Sequence, residues 1–253
     1  MYNIKDCKKL MYSIKDYKEP ISNIKNYKNP ITNMKQNLIK KGKKLVQKRL
    51  LPHYDGQVFS YGNSKLPKST LIVNLSSAEN CPSRKRGLCE IENKCYARKC
   101  ERIYPNYKKK NLIVEKWLNS ASDKDIEDLV DAYVDEAPEK IKLLRLNEAG
   151  DFRDQKQVRQ MNRIARHLKK TRGIRTYTYT HRSDLDFSKA DSIVVNGSRP
   201  DVKGAVREYK CLPRRDYDQM KTGKGEYKCP GNCKQCNACT SNRFKGKIYC
   251  REH

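Results

Sequence analysis

Four cysteines lie within the segment NCPSRKRGLCEIENKCYARKCER, which spans residues 80–102. They are Cys81, Cys89, Cys95 and Cys100. Their intervals do not match the paired Cys-x2-Cys units of a zinc ribbon. The segment directly follows the apolar run STLIVNLSS (69–77), which predicts a buried strand. Because parallel α/β proteins bind ligands in loops at the carboxyl ends of their strands, these thiols indicate a zinc site or an iron–sulfur cluster.

A second cysteine group lies in the segment CPGNCKQCNAC (229–239). Its members are Cys229, Cys233, Cys236 and Cys239. Ordinary packing rarely requires thiols so close together, so the group is a strong indication of a metal site. Its Cys-x3-Cys-x2-Cys core is similar to the iron–sulfur loop of radical enzymes, and its Cys-x2-Cys-x2-Cys spacing to that of ferredoxins, with zinc as the alternative. Three further cysteines are candidate additional ligands: Cys100, Cys211 and Cys250.

The composition indicates a polyanionic partner. The 253 residues carry 56 Lys and Arg against 29 Asp and Glu, a formal net charge of +27, and residues 1–50 alone carry 14 basic and 3 acidic side chains. Nucleic acid is the usual partner of such a charge, through phosphate neutralisation and counterion release. An acidic membrane surface is the rival, but no apolar run is long enough to span a bilayer and no signal-peptide core follows Met1. We therefore expect a protein that is not secreted and whose 11 cysteines stay reduced and available to metal.

The start of the chain repeats a decapeptide: MYNIKDCKKL, MYSIKDYKEP, ISNIKNYKNP and ITNMKQNLIK. Pro20 and Pro30 interrupt any long helix, so the repeat predicts a flexible basic arm whose tyrosines and lysines suit stacking on bases and contact with phosphates. The segment IKKGKKLVQKRL (39–50) continues the arm. The predicted nucleic-acid-binding side chains are Lys40, Lys41, Lys43, Lys44, Lys48 and Arg49 in this segment, and Arg159, Arg163 and Arg166 on a helix further along the chain.

Strands and helices alternate in the middle of the chain. Apolar runs predict strands at 69–77, 140–148, 174–180 and 191–198. Two segments, SDKDIEDLVDAYVDEAP (122–138) and DQKQVRQMNRIARHLKK (154–170), have an apolar stripe at helical spacing. This alternation predicts an α/β fold with a parallel sheet, in the form of a barrel or open part-barrel. The predicted organisation is a basic arm (1–50), a part-barrel core (51–201) and a Cys-rich segment (202–253) that a metal or cluster would order.

The segment NCPSRKRGLCEIENKCYARK resembles a family of phage and giant-virus proteins that is distantly related to radical S-adenosylmethionine (SAM) enzymes. The shared pattern is Cys-Pro, a second Cys and Cys-Tyr-Ala, here Cys81 with Pro82, Cys89, and Cys95 with Tyr96 and Ala97. The resemblance continues in LLRLNEAGDF, in YTYTHRSDL and in the terminal cysteine group, and extends to iron–sulfur proteins of megavirus-type giant viruses. It implies a radical SAM-like partial TIM barrel with one 4Fe–4S cluster on Cys81, Cys89 and Cys95, and a second cluster on the terminal group.

Two features depart from radical SAM enzymes. The first cysteine loop lacks their spacing, and no Gly-rich SAM-binding stretch follows the second predicted strand. We therefore expect a binding protein rather than an enzyme. The expected function is that of a viral protein with two 4Fe–4S clusters that binds double-stranded DNA non-specifically through phosphates and condenses it. Such a protein would be associated with the genome in the virion and present in the cytoplasm of the infected host cell.

Two alternatives remain open at this level. The first is a radical SAM-type enzyme that acts on nucleic acid or on a nucleotide. In that case Glu148 and Asp151 would contact a ribose or an amine, and His181 would act as an acid–base group or ligand. Equally, the two carboxylates could cap the helix that follows them, and His181 could be an ordinary surface residue. The second alternative is a zinc-stabilised nucleic-acid-binding module without redox activity.

Overall fold

The computed structural model describes residues 42–252, apart from the side chain of residue 93, so the decapeptide arm with Lys40 and Lys41 lies outside the described residues. The described helices are α1 (residues 42–50), α2 (Pro82–Lys85), α3 (Tyr96–Ile103), α4 (Pro105–Ser120), α5 (Asp123–Asp135), α6 (Gln155–Arg172) and α7 (Arg214–Gln219). The strands are β1 (Ser60–Tyr61), β2 (Thr70–Val73), β3 (Leu143–Leu146), β4 (Arg175–Thr180), β5 (Ile193–Gly197), β6 (Arg207–Leu212), β7 (Glu226–Lys228) and β8 (Lys247–Arg251). Single 3-10 turns lie at Glu92–Lys94 and Ala238–Thr240.

The eight strands form one sheet in the order β1-β2-β3-β4-β5-β6-β8-β7. Strand β1 runs antiparallel to β2, and every other pairing in the described part of the chain is parallel. From β2 to β6 the strands are neighbours in the order in which they occur along the chain. Because these strands run in the same direction, their carboxyl ends share one edge of the sheet and their amino ends the other. We refer to these as the carboxyl edge and the amino edge.

One face of the sheet, here called the helix face, is mostly aliphatic. Its rows, read from the strand register, are Leu71, Leu144, Thr176 and Ile193, then Val73, Leu146, Thr178 and Val195. The aliphatic side chains of these rows are buried in one apolar core together with residues of α4, α5 and α6. Since side chains alternate along a strand, the residues between them must lie on the opposite face.

That opposite face, here called the inner face, is polar and aromatic. Its side chains include Arg145, Tyr177, Tyr179, Asn196, Arg207 and Tyr209. The ring centroid of Tyr179 lies 4.5 Å from that of Tyr209, and the Arg145 guanidinium lies 5.3 Å from the Tyr179 ring. The Cys-rich segment packs against this face, where Asn196 Nδ2 donates to the Cys239 carbonyl at 3.1 Å. The inner face is therefore the surface that the second cysteine group covers.

The four strands and two helices predicted from the sequence are confirmed, as is the parallel sheet. Helix α5 begins with a capping box, in which the Ser122 hydroxyl accepts from the Asp125 backbone N–H at 3.1 Å and the Asp125 carboxylate reaches back. Helix α6 begins at Asp154, whose carboxylate accepts from the Gln157 N–H at 2.8 Å, and ends at Gly173 with φ of 68°.

The C-terminal segment is more regular than its sequence indicated. No strand was predicted after residue 201, yet β6, β7 and β8 extend the same sheet. Their inner-face positions hold Tyr209, Cys211, Tyr227 and Cys250 between charged neighbours, so no apolar run marks them as strands. The sequence boundary after residue 201 consequently falls within a continuous sheet.

Candidate functional site

The first cysteine group lies at the carboxyl edge, in the loop that leads from β2 into α3. Cys81 precedes α2, and its sulfur accepts hydrogen bonds from the backbone N–H groups of Arg84 and Ser83. Cys95 directly precedes α3. Cys89 lies between them along the chain, and its sulfur is near enough to those of Cys81 and Cys95 for their charges to interact.

Burial favours the protonated form of two thiols of the first group, Cys81 and Cys89. It raises the pKa of the Cys81 thiol to about 12, with the carboxylate of Asp151 as the next cause. Burial likewise raises the pKa of Cys89 to about 11, and the charges of Cys95 and Asp151 add to it. A metal centre that binds here must therefore displace protons from these thiols.

Asp151 connects the loops of the carboxyl edge and does not cap a helix. Its buried carboxylate accepts from the hydroxyls of Ser83 at 2.6 Å and Thr180 at 2.7 Å. It also accepts from the backbone N–H groups of Phe152 at 2.8 Å and His181 at 3.0 Å. Of the two roles predicted for this residue, helix capping is wrong, because Asp154 caps α6. Asp151 instead joins the segments that follow β2, β3 and β4.

Glu148 and His181 both lie at the carboxyl edge, close to the first cysteine group. The Glu148 carboxylate accepts from the side-chain amide of Asn63 and lies 3.8 Å from an Arg145 guanidinium nitrogen. It does not cap α6 either. Burial lowers the pKa of His181, although the neighbouring carboxylates of Asp151 and Glu90 oppose this shift. The imidazole is consequently neutral at neutral pH and half-buried rather than an exposed surface group.

Two of the candidate additional ligands lie beside the second cysteine group. Cys211 and Cys250 are register partners on β6 and β8, with their sulfurs 2.9 Å apart. The thiol of Cys250 hydrogen-bonds to the Cys211 sulfur and lowers its pKa. The third candidate, Cys100, lies on α3 and is buried in a small apolar cluster with Ala97 and Tyr107.

The four members of the second group lie beside this pair. Cys229 directly follows β7, and its charge interacts with those of Cys250, Cys233 and Cys236. Burial raises the pKa of Cys229 to about 11 and that of Cys239 to about 12, while the Tyr179 hydroxyl donates to the Cys239 sulfur. The fold thus gathers six cysteines in one region: Cys211, Cys229, Cys233, Cys236, Cys239 and Cys250.

Arg145 and Lys65 are close enough to the Cys233 sulfur for their positive charges to interact with it. Burial raises the pKa of Cys233, and the positive charges of Arg145 and Lys65 oppose that shift. The Arg145 Nε is buried without a hydrogen-bond partner among the described residues, and its nearest carboxylate, on Glu148, is 3.8 Å away. Arg145 therefore carries a weakly compensated positive charge that suits a group of thiolates.

Arg207 holds the Cys-rich segment in place and was not singled out by the sequence. It is buried on the inner face and donates to the carbonyls of Ala238 at 2.7 Å and Phe244 at 2.8 Å, and also to that of Ser241. A further bond of 2.9 Å to the Asn196 amide oxygen fixes the guanidinium itself. Arg145 in LLRL and Asn196 in IVVNG carry one sequence signal, a lone polar side chain in an apolar strand, whereas Arg207 opens the charged strand REYKCL and has no such signal.

No three His, Cys, Asp or Glu side chains between residues 42 and 252 are arranged so that they could share one metal ion as they stand. The sulfurs of each cysteine group are neighbours, but they do not form a coordination shell. The predicted ligand sets accordingly remain predictions.

The predicted DNA-binding side chains fall into two classes. Lys44, Lys48 and Arg159 are exposed and make no ion pair with another described residue. The others with described contacts form ion pairs within the chain: Lys43 with Glu136 at 3.2 Å, Arg49 with Asp128 at 3.0 Å, Arg163 with Asp123, and Arg166 with Asp191 at 3.0 Å. Asp123 of α5 and Asp191, which precedes β5, thus compensate two cations of α6, and Arg159 is the predicted cation of this helix that makes no ion pair with another described residue.

Fold and site together define an α/β protein with a mostly parallel sheet, whose carboxyl edge and inner face each carry a cysteine group. The model of the family described as Gene product 88 matches residues 33–204, and the chain belongs to this family of phage and viral gene products. The match contains the first cysteine group and ends before the second. No curated protein and no solved structure matches the chain. Within residues 42–252, no helix has both the length and the apolar character needed to cross a membrane.

Proposed function

We propose that this protein is a viral iron–sulfur protein that holds two 4Fe–4S clusters and binds and condenses DNA through non-specific phosphate contacts. The observation that carries the proposal is the gathering of nine free cysteines among the described residues into two groups, one at the carboxyl edge and one against the inner face. Cys81, Cys89 and Cys95 are the proposed ligands of one cluster. Cys229, Cys233, Cys236 and Cys239 are those of the other, with Cys211 and Cys250 next to them.

The donor set fits an iron–sulfur centre better than a hard cation. Both groups offer sulfur, and the nearest carboxylate to Cys81, on Asp151, already accepts four hydrogen bonds. A thiolate-ligated cluster is anionic, and Arg145 and Lys65 supply positive charge beside the second group. The consecutive order of strands β2 to β6 agrees with the proposed radical SAM-like part-barrel, in which the cluster loop follows the first parallel strand.

The decisive measurement is the iron and acid-labile sulfide content of protein purified without oxygen. We expect equal amounts of both and a broad brown absorption that fades in air. Stoichiometric zinc without labile sulfide would favour the zinc-stabilised module instead. Optical and electron paramagnetic resonance spectra of the variants C89S/C95S and C233S/C236S would assign one cluster to each group.

DNA binding is supported by the net charge of +27 and by exposed cations on α1 and α6. The test is removal of residues 1–41, which carry 10 basic and 3 acidic side chains. Helix α1 should be kept, because Gln47 anchors it to the core through bonds to the Gly56 carbonyl at 2.7 Å and from the Tyr133 hydroxyl at 2.8 Å.

Mobility-shift titrations on unrelated duplexes at several salt concentrations should show steep salt dependence and little sequence preference for the full chain. The truncated chain should bind more weakly, with a flatter salt slope and an unchanged iron content. Tight binding of one sequence, or no effect of truncation, would contradict the DNA-condensing function. In a virus such a protein would accompany the genome in the virion and in the host cytoplasm.

A radical SAM-type enzyme acting on nucleic acid or a nucleotide is the second candidate. One observation favours it: the three interacting thiols of the first group lie beside an inner face that holds Arg145, Tyr177 and Tyr179. Reduced, cluster-loaded protein would then cleave SAM to 5′-deoxyadenosine. Turnover above a cluster-free control would place this function first.

A further inference from the structure

A pocket of about 410 Å³ opens at the amino edge of the sheet, opposite the edge that carries the first cysteine group. Its walls are the last turn of α6, the first residues of β4 and β5, and the segment 240–243 that directly follows Cys239. None of the predicted metal ligands or DNA-binding side chains lines it. It is therefore a separate feature of the molecule that the sequence patterns did not indicate.

Each of the three walls contributes one cation to the pocket: Lys169 from α6, Arg175 from β4 and Arg243 from the C-terminal segment. The acidic residue in the lining, Asp191, already forms hydrogen bonds and an ion pair within the protein. Its carboxylate accepts from Asn162 at 3.0 Å and from Arg166 at 3.0 and 3.1 Å, and these bonds lower its pKa. Because Arg166 compensates the Asp191 charge, the pocket has a net positive charge.

The wall formed by residues 240–243 is held in a defined position. Arg207 bonds the carbonyls of Ala238, Ser241 and Phe244 from the inner face, and Arg175 donates to the Thr240 carbonyl at 3.4 Å. These bonds bring Arg243 to the same pocket as Lys169, although the two residues are far apart in sequence. The backbone that carries Arg243 is therefore held at the pocket before any ligand binds.

We infer that this pocket binds the phosphodiester backbone of DNA, with a phosphate among Lys169, Arg175 and Arg243. The inference rests on the proposed DNA binding and adds to it a defined contact on the globular part of the chain. Phosphate is the chemistry that suits three cations from separate elements. The opening of the pocket to the protein surface suits a continuous backbone.

The experiment compares two matched double variants of the full chain. K169Q/R243Q removes two pocket cations whose side chains make no hydrogen bond or ion pair with another described residue. The control, K221Q/K224Q, removes two exposed lysines that lie close in sequence to the second cysteine group. Duplex binding is titrated at several salt concentrations. Because each phosphate contact contributes about 0.9 to the salt slope, K169Q/R243Q should flatten the slope by about 2 and weaken binding roughly tenfold at moderate salt. K221Q/K224Q should change the slope by less than about half a unit.

A third variant, R175Q, tests the remaining cation, and its thermal unfolding and iron content show whether loss of the Thr240 contact disturbs the fold. If both double variants bind duplex equally while removal of residues 1–41 weakens binding, the pocket inference fails and the proposed function stands. If the full chain binds no duplex at all, the proposed function fails first.

A free nucleoside triphosphate is titrated in parallel. Loss of nucleotide binding in K169Q/R243Q with unchanged duplex binding would overturn the backbone assignment.

Discussion

The two cysteine groups are positioned in different ways. The first lies in a loop that the core of the protein holds directly, because Asp151 bonds to Ser83 in that loop and to Thr180 at the end of β4. The second lies on a segment with little regular structure between β7 and β8. Chiefly Arg207 and Asn196 hold that segment to the sheet. The fold alone therefore positions the first group, whereas the second depends on a few polar contacts and on whatever its thiols bind.

The same contrast is visible along the chain. The Gene product 88 match includes the first group and stops at residue 204, before β6. Strands β6 and β8 join the sheet through regular parallel pairing, but the segment between β7 and β8 contains a single 3-10 turn as its only described helix. Because metal binding contributes folding free energy where a preformed site is absent, a ligand should matter more to the fold at the second group.

The largest expected effect is the difference between C233S/C236S and C89S/C95S in anaerobic protein. Each should lose about half of the iron, in line with one cluster per group. Only C233S/C236S should also release residues 229–246, with a loss of at least about 3 kcal/mol in the local free energy of opening. Amide hydrogen exchange followed by mass spectrometry would measure this.

The control for that comparison is the exchange of α6, which should be the same in both variants because its buried face packs on the aliphatic core. Equal loosening of the C-terminal segment by both variants would show that the two groups do not differ in this way. Loss of all iron from either variant would indicate one shared centre.

Arg207 offers a second way to test the comparison, without changing a cysteine. The change R207K keeps the positive charge but removes the planar guanidinium group whose N–H groups donate to the carbonyls of Ala238 and Phe244. Losing two or three charged hydrogen bonds should destabilise residues 238–244 by about 3 kcal/mol and leave the first cysteine group unaffected. Hydrogen exchange of that segment measures the effect. The matched control is R214K, on the exposed helix α7. Equal protection in both variants would show that Arg207 does not hold the segment.

These two regions also differ in how far the sequence predicted them. Strands β2 to β5 and helices α5 and α6 follow local rules, such as the Ser122 capping box and the apolar stripe through Val158 and Leu168. The cysteine spacings likewise indicated which sulfurs would be neighbours. By contrast, Arg207, Asn196 and Arg145 owe their roles to strand pairing between distant residues. A single polar side chain in a strand reveals neither its partners nor the face on which it lies.

The smallest expected effect concerns Lys110, which lies on α4 at the side of the first group. Its ammonium donates to the Ser60 hydroxyl at 2.7 Å, and burial lowers its pKa to about 8, against a weaker opposing effect of Glu148. In the unfolded chain a lysine has a pKa of about 10.4, so between pH 8 and pH 10 the unfolded state binds more protons than the folded state. Stability must therefore rise with pH in this range.

From pH 7 to pH 9 this single lysine should add about 1 kcal/mol to the free energy of unfolding, and K110M should lack that increase. The buried thiols act in the opposite direction, because the pKa values of Cys81 and Cys89 are raised and the unfolded thiols lose their protons first. Their contribution is common to both proteins and cancels in the difference.

Denaturant unfolding at the two pH values, with K109M on the exposed face of α4 as the matched control, isolates the effect of Lys110. If K110M and K109M show the same pH dependence as the unmodified chain, the ammonium of Lys110 is hydrated. The polar side of the carboxyl edge would then be less enclosed than the contacts around Asp151 imply.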